Sequence, residues 1–328
     1  MQRPPPFVAG RQKALSLGAL SAHNDLRINP KDLAPFMLSD RPVWLRLAPV
    51  IFLLLWSGGY GVAKVGLDYA APMTILALRF ALVVVAMAVL WAALRPPLPQ
   101  SRAEWGHLAI VGLLIQSVYF GMSYCALDAG VAVGTLALLM TLQPVLVALI
   151  APRWTGERVG WRQWGGLILG LIGAAVVIGA RSAVEPPSFM GFVFAMIGLA
   201  GIVAASLWEK RFGLRHHPVT SNLIGYAAGF LGVLPLLAMQ DDLSVTWSWP
   251  FVGVLFYLVV GNSLVAVGLL LAMIRVGDVA RVSALFFLVP PLAAVIAWAM
   301  VGEVMPPVAW SGMVLAGLGV VLATRKAG

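Results

Sequence analysis

Two amide–hydroxyl pairs, Gln116–Ser117 and Asn262–Ser263, lie near the middle of long apolar stretches of this chain. An amide in hydrocarbon is costly unless it meets a partner or a wet cavity. The pairs therefore make hydrogen bonds between helices, or they line a cavity that holds a small molecule. Trp56 and Tyr60, one helical turn apart with Ser57 and Gly61 beside them, would give such a cavity an aromatic wall. Tyr119 and Tyr124 pose the same choice between cavity wall and packing. Arg79 stands about seven residues into its apolar stretch, roughly 10 Å deep at ~1.5 Å per residue. Its guanidinium can snorkel to the surface, serve as a structural or gating charge near a cavity mouth, or hold a carboxylate bidentately. This is the chemistry of binding, not of bond making.

Motifs for bond making are missing. The four histidines, His23, His107, His216 and His217, lie in the first segment or at the edges of apolar runs. No HExxH, paired-cysteine or phosphate-loop pattern occurs. Cys125 is the sole cysteine, which excludes an intrachain disulfide and a cysteine metal cluster. The expectation is no metal and no cofactor. No carboxylate falls at the centre of a span, so the residues give no support to a proton relay.

The elements that must carry these residues are membrane spans. A hydrophobic content of 61% with 11% charged residues is far from a soluble composition. Apolar runs long enough to cross a bilayer recur along the chain, without the period-two alternation of a β-barrel. Ten spans are expected, near residues 44–66, 71–94, 106–127, 129–151, 163–180, 189–209, 219–239, 250–273, 279–300 and 307–323. Residues 1–43 read as a flexible cytoplasmic tail with no signal-peptide core. The net charge of +9 does not point to nucleic acid, because the basic residues sit between spans. Their bias to alternate loops places both termini in the cytoplasm.

The chain also repeats itself. With Pro144 laid on Pro290, Gly156–Glu157 meets Gly302–Glu303, Trp164 meets Trp310, and Gly166 and Gly173 meet Gly312 and Gly319. Lys64 meets Lys210, and Gln116–Ser117 meets Asn262–Ser263. Internal repetition of this kind decides the architecture before any local reading. Residues 44–180 and 188–324 are expected as two repeats of five spans. An odd number of spans makes them inverted copies, an arrangement typical of secondary transporters with a midplane site. Pro144 and Pro290 are expected as matched mid-span kinks. Glu157 and Glu303, each after a glycine, suit turn and capping roles. The glycine-rich last span of each repeat suggests close helix packing, and a homodimer through those spans is one option.

These residues carry a resemblance. Trp56–Ser57 with Lys64, the Leu78–Arg79–Phe80 triplet, the Pro144 span, Gly156–Glu157 and Trp164–Gly165–Gly166 occur in order. Pro290, Gly302–Glu303 and Trp310–Ser311–Gly312 repeat the series. The chain resembles the drug/metabolite transporter superfamily, in particular EamA-type transporters with two EamA repeats. That resemblance implies an all-α polytopic membrane protein of ten helices in a cytoplasmic (inner) membrane. It implies a central cavity lined by the first four helices of each repeat. It also implies export of small metabolites, often amino acids. The substrate expected is a neutral or aromatic amino acid or a related compound, moved by alternating access between lipid-embedded halves. A multidrug or metabolite importer or exchanger on the same fold is the alternative. A membrane enzyme acting on lipid head groups is the remote one.

Overall fold

The computed structural model describes residues 43–150, 160–182, 188–212, 216–275 and 286–324. The expected tail up to residue 42, and Gly156 and Glu157, lie outside the described residues. The first half holds α1 (Val43–Gly66), α2 (Pro72–Leu94) and α3 (Arg102–Gly112). A π-helical segment (Leu113–Phe120) then leads into α4 (Gly121–Asp128), followed by α5 (Val133–Met140), α6 (Gln143–Ile150) and α7 (Trp161–Ser182). The second half holds α8 (Phe189–Phe212), α9 (Pro218–Ala238) and α10 (Trp249–Phe256). A second π segment (Tyr257–Ala266) leads into α11 (Val267–Arg275), and a short 3₁₀ turn (Phe286–Leu288) precedes α12 (Val289–Val301) and α13 (Pro307–Thr324). Among the described residues there is no β-strand, only one isolated bridge between Ala70 and Val245.

Six helical runs are long and apolar enough to cross a membrane: 47–66, 72–94, 102–128, 189–209, 218–238 and 249–270. Four shorter apolar runs, 133–147, 164–180, 289–301 and 307–322, overlap the remaining expected spans, and residues 279–285 lie outside the described residues. The outward faces are apolar. Val85, Val89 and Leu231 are each more than 60% exposed, a surface that lipid covers and water does not tolerate at this scale.

Local chemistry sets the helix ends. Ser101 starts α3 by accepting from the Glu104 N–H (3.2 Å), while Glu104 accepts from the Gln100 N–H (3.0 Å), a reciprocal arrangement related to the capping box. Ser248 accepts from the Phe251 N–H at 3.3 Å to start α10. Gly302 ends α12 in the left-handed region (φ 70°), which costs glycine nothing.

Pro144 and Pro290 are not kinks inside continuous helices. The expected span 129–151 is two helices, broken at Thr141 and Leu142, and Pro144 is the second residue of α6. Pro290 is likewise the second residue of α12. Proline has no N–H to give the carbonyl four residues back, so a helix restarts at it more easily than it runs through it. The Thr141 hydroxyl, donating to the Leu138 carbonyl at 2.6 Å, satisfies part of the broken end.

The glycine faces of α7 and α13 meet each other within the chain. A Cβ on Gly312 would lie 2.7 Å from the Gly173 carbonyl oxygen, and one on Gly319 would lie 2.6 Å from that of Gly166. The close packing expected of these spans is thus intramolecular.

Two hydrogen bonds donated by backbone N–H groups tie the halves where α1 ends and α2 begins. The Met73 N–H donates to Gln240 Oε1 (2.7 Å) and the Thr246 N–H to the Tyr69 carbonyl (2.8 Å). Glu303 accepts from the Val133 N–H at 2.9 Å. Its carboxylate therefore caps α5 in the other half, where the helix start presents unpaired N–H groups and positive dipole. Lys64 Nζ donates to the Leu127 carbonyl at 2.6 Å, the matching arrangement of a cation at a helix end. In the loop after α9, Asp242 accepts from the backbone N–H and hydroxyl of Ser244, and these bonds hold its pKa below the ordinary carboxylate value.

A buried arginine in an aromatic pocket

Arg79 lies on α2 and is 1% exposed. Its chain turns inward instead of snorkelling. Nη2 donates to Asn262 Oδ1 (2.7 Å) and Ser263 Oγ (2.9 Å). Nε also donates to Ser263 Oγ (3.1 Å), and Nη1 donates to the Tyr124 hydroxyl (3.2 Å). The guanidinium lies 4.7 Å from the centre of the Phe120 ring, close enough for cation–π attraction. All its partners are neutral. Among the described residues no carboxylate forms an ion pair with it.

Asn262 is held at both ends. Its Nδ2 donates to the Leu55 carbonyl at 3.2 Å, while its Oδ1 faces Arg79. Gly59 permits this approach of α1, since a Cβ there would stand 2.5 Å from Asn262 Nδ2. The second π segment carries Asn262 and Ser263. π-helical turns recur at functional sites because they break the α-helical register locally.

A small, partly open cavity of about 20 Å³ adjoins this network. Trp56, Gly59, Tyr60 and Ala63 of α1 form one wall, with Tyr119, Phe120, Ser123, Tyr124 and Leu127 opposite and Arg79 and Asn262 between them. The Tyr60 and Tyr119 hydroxyls hydrogen-bond at 3.1 Å. Trp56 packs edge-on to Phe286 at 5.7 Å and tilted on Phe52 at 5.4 Å. The Ser123 hydroxyl is buried without a partner. A cation, several hydroxyls and aromatic faces meet around one small space.

The structure brings Asn262, Ser263, Trp56, Tyr60, Tyr119 and Arg79 together at this pocket and leaves Gln116 and Ser117 elsewhere. Both of the latter are buried in the first π segment against α9. The Ser117 hydroxyl donates to the Gly229 carbonyl at 3.0 Å, and Gln116 packs on Gly229. The repeat explains the difference. In the register that pairs Pro144 with Pro290, Arg79 pairs with Gly225. Gly225 touches the Gly112 backbone, so the second half closes tightly where the first half places its charge. Sequence reading passed over Ser123, Phe120 and Gly59. Their signal was helical spacing: Gly59 and Ala63 flank the Trp56–Tyr60 face, and Ser123 is one turn from Tyr119.

Comparison with known proteins gives these features a family. The model of the EamA-like transporter family matches residues 44–179 and again 189–325. A probable terminal-alkyne amino-acid exporter of Streptantibioticus cattleyicolor is 27% identical over 296 residues, covering 88% of this chain and 95% of its own. A probable amino-acid metabolite efflux pump of Salmonella typhimurium is 25% identical over 285 residues, covering 84% and 91%. The uncharacterized inner membrane transporter YedA of Escherichia coli is 23% identical, covering 83% and 87%. A protein crystal structure superposes with a TM-score of 0.59 at 20% identity, over 85% of this chain and 96% of that one, which shows the fold alone. With apolar helices along its length and two matched repeats, the protein is a multi-pass membrane transporter and not an enzyme; the chain belongs to the EamA-like transporter family.

Proposed function

We propose that this protein is a secondary transporter that exports small organic carboxylates, amino acids and their metabolites, across the cytoplasmic membrane. One observation carries the reading: Arg79 is buried in an aromatic pocket with only neutral partners. A charge at such depth marks a functional site by default, and a substrate carboxylate would complete its bidentate geometry. Trp56, Tyr60, Tyr119 and Phe120 then hold the apolar part. The names of the two exporter relatives support this substrate class. Ten spans, counting the shorter apolar helices, form two inverted repeats with both termini cytoplasmic, a reading supported by the bias of Lys and Arg to alternate loops. The repeats exchange shapes around the pocket, opening it to each side in turn.

The test is efflux from proteoliposomes preloaded with labelled amino acids and related carboxylates, with wild type and Arg79→Gln. Selective efflux by wild type, lost in the variant while the variant stays folded, is the expected result. Equal efflux by both would remove Arg79 from the site.

A further inference from the structure

Among the described residues the lining of the pocket carries one cation and no carboxylate. Arg79 is its only ionic lining residue among those described. Asp68, Asp128, Glu209, Asp241 and Asp242 are exposed, Glu104 lies 3.8 Å from His216 near the start of α3, and Glu303 caps α5. An α-amino acid carries an ammonium next to its carboxylate. Once the carboxylate sits on Arg79, that ammonium is drawn among aromatic rings and hydroxyls beside a guanidinium of like charge. Hydroxyls of Tyr60, Tyr119 and Ser123 offer lone pairs and the aromatic faces a weaker cation–π attraction, but no full compensating charge. Burying an ion without such compensation is so costly that the group sheds its charge instead.

We infer that the Arg79 pocket selects aromatic or apolar monocarboxylates whose nitrogen is absent or acylated, over the free zwitterionic amino acids. This rests on the reading of Arg79 as the carboxylate-holding group and, within the class proposed above, ranks amine-free and amine-blocked carboxylates ahead of free amino acids. The physical basis is desolvation: an ammonium taken out of water without a carboxylate to pair it loses more than it gains.

Binding to the full-length protein in nanodiscs tests it with four matched probes: phenylalanine, N-acetylphenylalanine, 3-phenylpropionate and phenethylamine. The two carboxylates without an ammonium should bind about tenfold or more tighter than phenylalanine, and phenethylamine should not compete. Phenylalanine must lose a proton to enter. Its affinity should therefore climb ~tenfold per pH unit below its amine pKa, as one pKa unit implies, while that of 3-phenylpropionate stays flat. Arg79→Gln should abolish binding of both carboxylates. If phenylalanine binds as tightly as its N-acetyl form at neutral pH, with binding still lost in Arg79→Gln, the selectivity is overturned and Arg79 keeps its role. If none of the four binds folded wild type, or binding ignores Arg79→Gln, both readings fall. The comparison among probes needs only wild-type protein, so misfolding of the variant does not blunt it.

Discussion

Arg79 Nη2 and Asn262 Oδ1 are 2.7 Å apart although 183 residues separate them in sequence, and their bond crosses from one repeat to the other. Asn262 cannot turn away without releasing the Leu55 carbonyl as well. The charge is therefore held by a neutral group that is itself fixed, which leaves the guanidinium ordered but not neutralised.

Replacing that neutral group by an acid should silence the site. Asn262→Asp would give Arg79 a permanent carboxylate in place of a substrate's. Transport should fall by ~10- to 100-fold, the factor carried by a charge-assisted hydrogen bond of about 1.5–3 kcal/mol, while thermal stability holds or rises. Asn262→Leu should instead lower stability, because it strands a buried charge. Efflux and thermal unfolding of the two purified variants check both arms. Wild-type transport by Asn262→Asp would exclude a carboxylate-holding role for Arg79.

Gly59→Ala should loosen the same contact from the other side. The new Cβ has no room beside Asn262 Nδ2, and overpacking of this kind costs about 1–3 kcal/mol. Gly253→Ala on α10 is the control. Nothing lies within 4 Å of a Cβ there, and alanine in a helix gains about 0.5–1 kcal/mol over glycine. Melting temperatures should move in opposite directions.

Glu303→Ala should fray the start of α5. The loss of one capping acceptor is worth roughly 1 kcal/mol. Hydrogen exchange should speed up at the Val133 amide and its neighbours, with little change in α2. Glu303→Gln, which keeps an acceptor but not the charge, should fall between the two.

Asp242 offers a pH readout away from the membrane. Its folded pKa is lowered by the bonds from Ser244. The turn is thus fully favoured above the unfolded carboxylate pKa of about 3.9 and loses that support as pH falls through the lower folded value. Ser244→Ala should raise the Asp242 pKa toward its ordinary value, measured by carboxyl NMR titration.

Much of this was legible in the sequence. Apolar length and the Pro144–Pro290 register define the helices and the duplication, and the depth of Arg79 marks it as anomalous. Its partners were not legible, since no local rule joins Arg79 to residues 183 positions away. The repeat also misled. It made Gln116 look like the twin of Asn262, yet only one of them meets a cation, because Arg79 has Gly225 as its counterpart. The π turns left no mark either, as Leu113–Phe120 reads as an ordinary apolar stretch. The prolines were visible but their effect was not. Hydrophobicity runs unbroken through Thr141 and Leu142, and only the missing N–H of Pro144 divides the helix.

Under the alternating access proposed above, the arginine without a twin has a consequence. Two halves that were chemical copies would give end states of equal free energy, and both sides of the membrane would meet the same site. Here the charge of the first half has a glycine, Gly225, as its counterpart in the second. Exchanging the shapes of the halves does not exchange their chemistry, so the two end states differ in energy. Half-saturation should then differ between the two faces, and loaded carriers should return at unequal speeds. Such a carrier rectifies in rate. It does not rectify at equilibrium, where microscopic reversibility keeps the two concentrations equal unless a gradient is coupled to the cycle.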